Sequence, residues 1–287
     1  MDNKIATPLR TKLIMERFGF SLKKKFGQNF LIDQSILDEI VEGAELTKED
    51  VVIEIGPGIG SLTQYIAESV KEVIAIEIDK TLIPILEETL ADYDNVTIIN
   101  EDVLKVDLKK LIDEKWQGQK VKVVANLPYY ITTPIIMGIF EKHIPLESIT
   151  VMVQKEVAER MEARPSTKDY GALTLAVNYY SNPEIIVDVP ASSFIPRPNV
   201  GSAVIRLAAT DKYKDMGLDD TFLFKVVRGA FQQRRKTLVN TLSHQPDLNI
   251  SKEAIRTALD ELEISQTIRG EALNLDQFID LAKKLHI

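Results

Sequence analysis

The chain has 287 residues, more than a typical single domain, so its length favours a larger domain accompanied by a smaller one. Hydrophobic residues make up 45% and charged residues 27%, which argues against disorder, and the absence of cysteine excludes disulfides, thiolate metal sites and cysteine nucleophiles. The formal net charge of −8 argues against indiscriminate nucleic-acid binding, so the distribution of charge matters more than its sum.

The N-terminal arm, residues 1–27, is basic, with seven Lys and Arg against two Asp and Glu. It lacks the apolar core of a secretory signal, and no stretch of about 18 apolar residues follows, so we expect a cytoplasmic protein without a membrane span. Lys23, Lys24 and Lys25 are candidate contacts to RNA, although on charge alone a solvated face is the better interpretation.

Five short apolar segments predict buried strands at residues 51–55, 73–78, 96–99, 121–125 and 149–153. Helices are predicted between the first of them, over residues 60–70 and 80–91. Because strands and helices alternate, we expect an α/β fold with a parallel sheet covered by helices on both faces. Ligands bind such sheets at the carboxyl ends of the strands.

The pattern changes after residue 208. Residues 209–220 are polar and charged, as in a linker, and apolar residues then recur at helical spacing to the end of the chain. The sequence therefore predicts two domains: residues 1–209, which include the arm, and a small helical domain over residues 210–287.

A tight strand-to-helix turn is predicted at Gly56, where residues 54–60 read Glu-Ile-Gly-Pro-Gly-Ile-Gly. The spacing of these glycines does not match the dinucleotide-binding fingerprint, which disfavours an NAD-dependent enzyme. Pro57 lacks an amide donor and Glu54 adds a negative charge, so the loop suits the positively charged S-adenosylmethionine better than a pyrophosphate. Glu77, at the end of the second strand, can accept hydrogen bonds from both ribose hydroxyls, and Asp102, after the third, from the adenine amine. Taken singly, Glu77 would be a solvated residue and Asp102 a helix cap; the glycine loop in the same unit favours a cofactor site.

The motif Asn126-Leu127-Pro128-Tyr129 directly follows the fourth strand. Adenine N6 is a poor nucleophile because its lone pair is delocalised into the ring. Two acceptors aimed at its protons, the Asn126 side-chain oxygen and the Leu127 carbonyl, would make it more amine-like. Pro128 stiffens the loop, and Tyr129 offers a face on which a flipped base can stack. The motif favours methylation of an amine, driven mainly by positioning, over an ordinary strand-end turn.

Two later segments carry candidate RNA contacts. The proline-rich loop over residues 189–202 contains Arg197 and a single aromatic residue, Phe194, which is either the second face of a base sandwich or a hydrophobic plug. Residues 225–236 hold five basic residues and no acidic one, and Arg234, Arg235 and Lys236 suit phosphate contacts. The three histidines show no ligand spacing, so we expect no metal site.

These motifs together resemble the ribosomal RNA adenine dimethyltransferase family over nearly the whole chain. Residues 25–31, Lys-Phe-Gly-Gln-Asn-Phe-Leu, are similar to the family's N-terminal motif, and residues 231–238 and 269–273 to its C-terminal signatures. The resemblance supports Phe194 as a base-stacking residue. It implies cofactor contacts at Asn29, Leu31, Gly56, Glu77, Asp102 and Asn126.

The resemblance implies a Rossmann-like methyltransferase fold, with a mostly parallel seven-stranded sheet in the catalytic domain and an all-helical domain that binds the ribosomal subunit. The implied activity is dimethylation of N6 of two adjacent adenosines in the 3′-terminal hairpin loop of 16S rRNA, with S-adenosylhomocysteine as coproduct. The implied partner is a partly assembled small subunit (30S precursor), met by a monomer, and loss of such enzymes typically confers kasugamycin resistance. Two alternatives stay open: a 23S rRNA adenine methyltransferase that confers macrolide resistance, and a non-catalytic assembly factor.

Overall fold

The computed structural model describes residues 4–20, 27–214 and 216–286, so the candidate RNA contacts Lys23, Lys24 and Lys25 lie outside the described residues. The chain forms two compact units. The first comprises Met1–Ala158 and Pro183–Ala209, and the second comprises Glu159–Asn182 and Thr210–Ile287. None of the helices in the described ranges is long and apolar enough to cross a bilayer.

Strands alternate with helices through the first part of the chain, and helices alone make up its last part. In chain order the elements are α1 (Pro8–Arg17), β1 (Phe30–Leu31), α2 (Gln34–Gly43), β2 (Val51–Ile55), α3 (Ser61–Ala67), β3 (Glu72–Glu77), α4 (Ile83–Thr89), β4 (Val96–Asn100), α5 (Leu108–Trp116), β5 (Val121–Asn126), α6 (Thr132–Glu141), β6 (Leu146–Gln154), α7 (Lys155–Met161), α8 (Ala172–Tyr180), β7 (Ser181–Val189), β8 (Phe194–Ile195), β9 (Ser202–Ala209), α9 (Asp220–Phe231), α10 (Leu238–Leu242), α11 (Lys252–Glu261) and α12 (Leu275–Leu285).

A seven-stranded sheet in the order β4-β3-β2-β5-β6-β9-β7 forms the centre of the fold. Strands β2 to β6 pair in parallel, and β9 runs antiparallel to β6. Every residue of β2 is buried, as expected for a strand covered on both faces. The expected α/β fold with a mostly parallel seven-stranded sheet is thereby confirmed.

A buried lysine is paired with acidic residues inside the first unit. Lys122, in β5, has a side chain only 4% exposed, and its Nζ lies 2.9 Å from Asp50 Oδ2 and 3.3 Å from Glu147 Oε1. The same ammonium donates to the carbonyl oxygen of Glu45 at 2.6 Å. Burial alone would raise the pKa of Asp50, but hydrogen bonds from Lys122 and Thr47 hold it below its ordinary value.

The second unit is helical, and it includes α8 as well as α9 to α12. Besides residues 210–287, it contains residues 159–182, which we expected in the first domain. The ring of Tyr170 lies edge-on to Phe231 at 5.9 Å between centroids, and its hydroxyl donates to the carbonyl oxygen of Leu273 at 2.7 Å. Because α8 packs against α9 and α12, the unit requires two chain segments.

Candidate functional site

The glycine loop between β2 and α3 opens a cavity at the carboxyl ends of the parallel strands. Gly58 has φ +63°, and a Cβ there would lie 3.0 Å from the ring of Phe30, so a side chain would meet both backbone strain and a neighbour. Gly56 has φ +71° and open space where its side chain would be. The backbone at Gly56 is therefore accessible to a ligand.

Glu77 is held at the end of β3 by backbone amides. Its carboxylate accepts hydrogen bonds from the amide of Gly58 at 3.3 Å and from the amide of Asp79 at 2.7 Å. Burial raises the pKa of Glu77 to about 7 against these hydrogen bonds, and the nearby charge of Asp79 adds to the rise. The side chain is only 4% exposed, so it is not the solvated residue of the alternative interpretation.

A second carboxylate, Glu54, lies beneath the glycine loop and lines the same cavity. Its Oε2 is buried and has no hydrogen-bond partner, as is also true of the hydroxyl of Ser61, another lining residue. Burial raises the pKa of Glu54 to about 8. Unpartnered buried oxygens are costly unless a ligand satisfies them, so this end of the cavity suits a ligand that donates hydrogen bonds or carries positive charge.

Asp102 lies in the turn after β4 and is half-buried. One of its carboxylate oxygens accepts a hydrogen bond from the amide of Leu104 at 3.0 Å, so the residue does brace its own turn, while it also lines the cavity. The cavity wall brings together every residue predicted to contact the cofactor. These are Asn29, Leu31, Gly56, Glu77, Asp102 and Asn126.

The 126–129 motif forms the opposite wall, because Leu127, Pro128 and Tyr129 also line the cavity. The Asn126 amide nitrogen donates to the carbonyl oxygen of Asn29 at 3.2 Å. That bond fixes the orientation of the amide and leaves its Oδ1 without a partner among the described residues, and the carbonyl oxygen of Leu127 has none there either. Two free acceptors therefore lie on adjacent residues beside the cofactor cavity.

The two aromatic residues predicted to stack on the base differ in their surroundings. The hydroxyl of Tyr129 is 2.8 Å from Ser202 Oγ, which fixes the ring beside the cavity. Phe194 is only 3% exposed and does not line the cavity. It lies in β8 opposite Leu31 of β1 and packs into the apolar core. In this structure Phe194 is packed as a hydrophobic plug would be, and its base-stacking role stays a prediction.

Arg234 is hydrogen-bonded within the second unit. Its guanidinium donates to Glu271 Oε2 from Nε at 3.1 Å and from Nη2 at 3.0 Å, and to the carbonyl oxygens of Lys168 at 2.7 Å and Thr167 at 3.2 Å. Its donors are used within the second unit to hold the loop before α8. These bonds leave Arg234 less available for phosphate than an unpaired cation, and its RNA contact stays a prediction.

The other candidate RNA contacts, Arg197, Arg235 and Lys236, are exposed. Sequence reasoning missed Tyr130, which lines the cavity and is 63% exposed. Its signal was present, since a second tyrosine directly follows the motif. Within residues 4–20, 27–214 and 216–286, no cluster of His, Cys, Asp and Glu is arranged to hold a metal ion.

Comparisons with known proteins agree with this geometry. The family model described as ribosomal RNA adenine dimethylase matches residues 19–286. The ribosomal RNA small subunit methyltransferase A of Lachnoclostridium phytofermentans is 57% identical over 97% of this chain and 96% of its own. Among solved structures, a dimethyladenosine transferase from Plasmodium falciparum has a TM-score of 0.76 at 27% identity, covering 88% of this chain and 95% of that one. The 23S rRNA methyltransferase ErmE has a TM-score of 0.66 at 25% identity, covering 90% of this chain and 100% of that one.

Proposed function

Because the chain belongs to the ribosomal RNA adenine dimethylase family, we propose that it uses S-adenosylmethionine to dimethylate N6 of two adjacent adenosines in the 3′-terminal hairpin loop of 16S rRNA. The observation that carries the proposal is the orientation of Asn126. Its amide nitrogen is held by Asn29, and neither its oxygen nor the adjacent carbonyl oxygen of Leu127 has a hydrogen-bond partner in the described part of the chain. Two such acceptors match the two protons of an exocyclic amine.

The cavity residues fit the cofactor by charge and by hydrogen bonding. Glu77, which is held by two backbone amides, can accept hydrogen bonds from the ribose hydroxyls. Asp102 can accept a hydrogen bond from the amine of the cofactor's adenine. The unpartnered oxygen of Glu54 supports a place for the ammonium group. The bound cofactor supplies an electrophilic methyl group on a sulfonium sulfur.

The protein's part in the reaction is to orient and polarise the amine. Asn126 Oδ1 and the Leu127 carbonyl oxygen accept hydrogen bonds from the N6 amine, so the nitrogen lone pair is less delocalised and can form the new bond to carbon. The carbon–sulfur bond breaks as that bond forms, and S-adenosylhomocysteine is the coproduct. The alkylated amine is strongly acidic and loses its proton to water, so the site needs no dedicated general base.

The choice of the small subunit over the large one rests on relatives. Proteins that are 50–57% identical over almost the whole chain are named for the small subunit, whereas the 23S enzyme with a related structure is 25% identical. A non-catalytic assembly factor of this fold would have no need of the oriented Asn126 amide. We therefore prefer catalysis on the 30S precursor, by a cytoplasmic monomer.

The test is incubation of the protein with S-adenosylmethionine and unmethylated small or large subunits, followed by mass mapping of the methylated nucleotides. We expect two adjacent dimethyladenosines in 16S rRNA and no label in 23S rRNA. Methylation confined to 23S rRNA would establish the alternative enzyme, and absence of cofactor binding in calorimetry would establish the non-catalytic factor.

We expect Arg235 and Lys236, and not Arg234, to contribute phosphate contacts to subunit binding. Replacing Arg235 and Lys236 by alanine should weaken subunit binding. The slope of the logarithm of the binding constant against the logarithm of salt concentration should fall by the amount expected for roughly two phosphate contacts, because each exposed cation releases counterions from RNA when it binds a phosphate. Binding titrations at several salt concentrations measure the slope. The matched control, Arg234→Ala, should instead lower the thermal stability of the second unit. An unchanged slope in the double variant would make the cluster a solvated face.

Cofactor affinity should rise about tenfold between pH 6 and pH 8, because ribose hydroxyls donate to ionised Glu77, whose pKa is about 7. The sign follows from the raised pKa. In the cofactor-free protein, protonated Glu77 contributes its full stability below the pKa of the unfolded chain, and this contribution is lost as pH rises through about 7. A bound hydrogen-bond donor favours the charged form of Glu77 instead, so cofactor affinity increases over the same pH range.

Calorimetry with S-adenosylhomocysteine at pH 6, 7 and 8 measures this dependence, and buffers of different ionisation enthalpy count the protons released. The Glu77→Gln variant should bind S-adenosylhomocysteine weakly, and position 77 should no longer contribute to the pH dependence of the affinity. Any pH dependence that remains would come from Glu54. Equal affinity of the wild type at pH 6 and pH 8 would refute the role of Glu77.

A further inference from the structure

Tyr130 is a large aromatic residue left exposed at the mouth of the cavity. It is 63% exposed and lines the cavity beside Tyr129. The hydroxyl of Tyr129 is held by Ser202, whereas that of Tyr130 has no hydrogen-bond partner among the described residues. An exposed ring at a binding site is a typical feature of surfaces that stack nucleobases.

One edge of the Tyr130 ring lies near Gly27. A Cβ built on Gly27 would lie 3.6 Å from Tyr130 Cε1 and 3.7 Å from Cδ1, so a side chain at this position would contact the ring. The same Cβ would lie 3.3 Å from Pro128 Cβ. The ring therefore has a neighbour along one edge, while most of the residue is exposed to solvent.

Tyr129 and Tyr130 are consecutive residues in the turn after β5, and they differ in exposure. Tyr129 is half-buried and suits the base whose amine reaches Asn126. Tyr130 is farther out and suits a base that stays outside the cavity. A neighbouring nucleotide is joined to the target by a single phosphodiester, so its base remains close to the mouth.

We propose that Tyr130 is the stacking platform for the nucleotide adjacent to the adenine being methylated, a role that rests on the proposed function. On a substrate with two adjacent target adenosines, the ring holds one while the other occupies the cavity. Because every base has an aromatic face, the platform serves either order of methylation. Tyr130 is thus a positioning residue that acts on substrate binding and leaves the methyl-transfer step to Asn126.

The test compares Tyr130→Leu with Tyr130→Phe on unmethylated small subunits. Loss of one base–aromatic stack should raise KM for the subunit about tenfold to a hundredfold in Tyr130→Leu, with kcat and the affinity for S-adenosylhomocysteine within about twofold of wild type. Tyr130→Phe keeps the ring and should retain the wild-type KM. Leu9→Ala is the control, because Leu9 is 70% exposed on α1 but does not line the cavity.

Each of the following results would contradict the stacking role of Tyr130. Equal KM values for Tyr130→Leu and wild type would show that the ring carries no binding, and a raised KM in both Tyr130 variants would assign the effect to the hydroxyl. A fall in kcat or in cofactor affinity would place Tyr130 inside the reaction site. Failure of the wild type to methylate small subunits would instead refute the proposed function, so the two failures are distinguishable.

Discussion

Asn126→Ala should lower the rate of methyl transfer by at least about 10²–10³-fold while the affinity for S-adenosylhomocysteine stays within about tenfold of wild type. The alanine removes one of two acceptors for the N6 protons, and it also frees the carbonyl oxygen of Asn29, which the amide of Asn126 now satisfies. Most of the expected cofactor contacts lie elsewhere on the cavity wall, at Glu77 and Asp102. The substitution should therefore lower the rate of methyl transfer much more than the affinity for the cofactor.

Single-turnover methylation of small subunits, with calorimetry in parallel, separates the two quantities. The matched control is Asn95→Ala, since the Asn95 amide also donates to backbone carbonyls, those of Ala67 and Val70, but lies outside the cavity. That variant should lose some stability yet keep its rate of methyl transfer per folded molecule. Near-wild-type turnover in Asn126→Ala would eliminate the acceptor role.

Lys122→Ala should destabilise the first unit by about 3–5 kcal/mol, because it removes a buried cation and leaves Asp50 and the carbonyl oxygen of Glu45 without their partner. Asp50 owes its lowered pKa to hydrogen bonds that include Lys122, so the stability from this pair is present above the unfolded pKa of an aspartate and lost as pH falls through the folded value. The difference between variant and wild type should accordingly shrink in acid.

Urea unfolding followed by tryptophan fluorescence measures this effect. Trp116, the single tryptophan, lies in α5 and is 8% exposed, so it reports on the first unit alone. The control is Lys110→Ala, since Lys110 pairs with Glu114 at the surface, with side chains 69% and 64% exposed, and should cost less than about 1 kcal/mol. Equal losses in the two variants would mean that burial of Lys122 confers no special stability.

The sequence predicted the centre of the sheet because parallel strands buried on both faces are continuous apolar runs, such as residues 51–55. The same strand ends placed Glu77, Asp102 and Asn126 together, since ligand sites of such sheets lie at one edge. This part of the site follows from local pattern and topology.

The surroundings of other site residues depend on contacts between distant parts of the chain. Phe194 is buried where β8 pairs with β1, and Arg234 is hydrogen-bonded to Glu271 and to the loop before α8. No local pattern in the sequence records such partners, so the burial of this ring and the engagement of this guanidinium could not be predicted from it. The surroundings of Tyr130 depend on the same kind of information, because Gly27 is distant from it in the sequence but near its ring.

The second unit has a consequence for protein engineering. Because it is assembled from residues 159–182 and 210–287, a cut at residue 209 would not yield a clean catalytic fragment. It would strip the partners from Tyr170, whose ring packs on Phe231. A chimera that exchanges target specificity between relatives must therefore transfer both segments together, with crossovers after residues 158, 182 and 209. A chimera with a single crossover at the linker, residues 209–220, would combine α8 of one relative with the C-terminal helices of another, and these helices did not evolve to pack together.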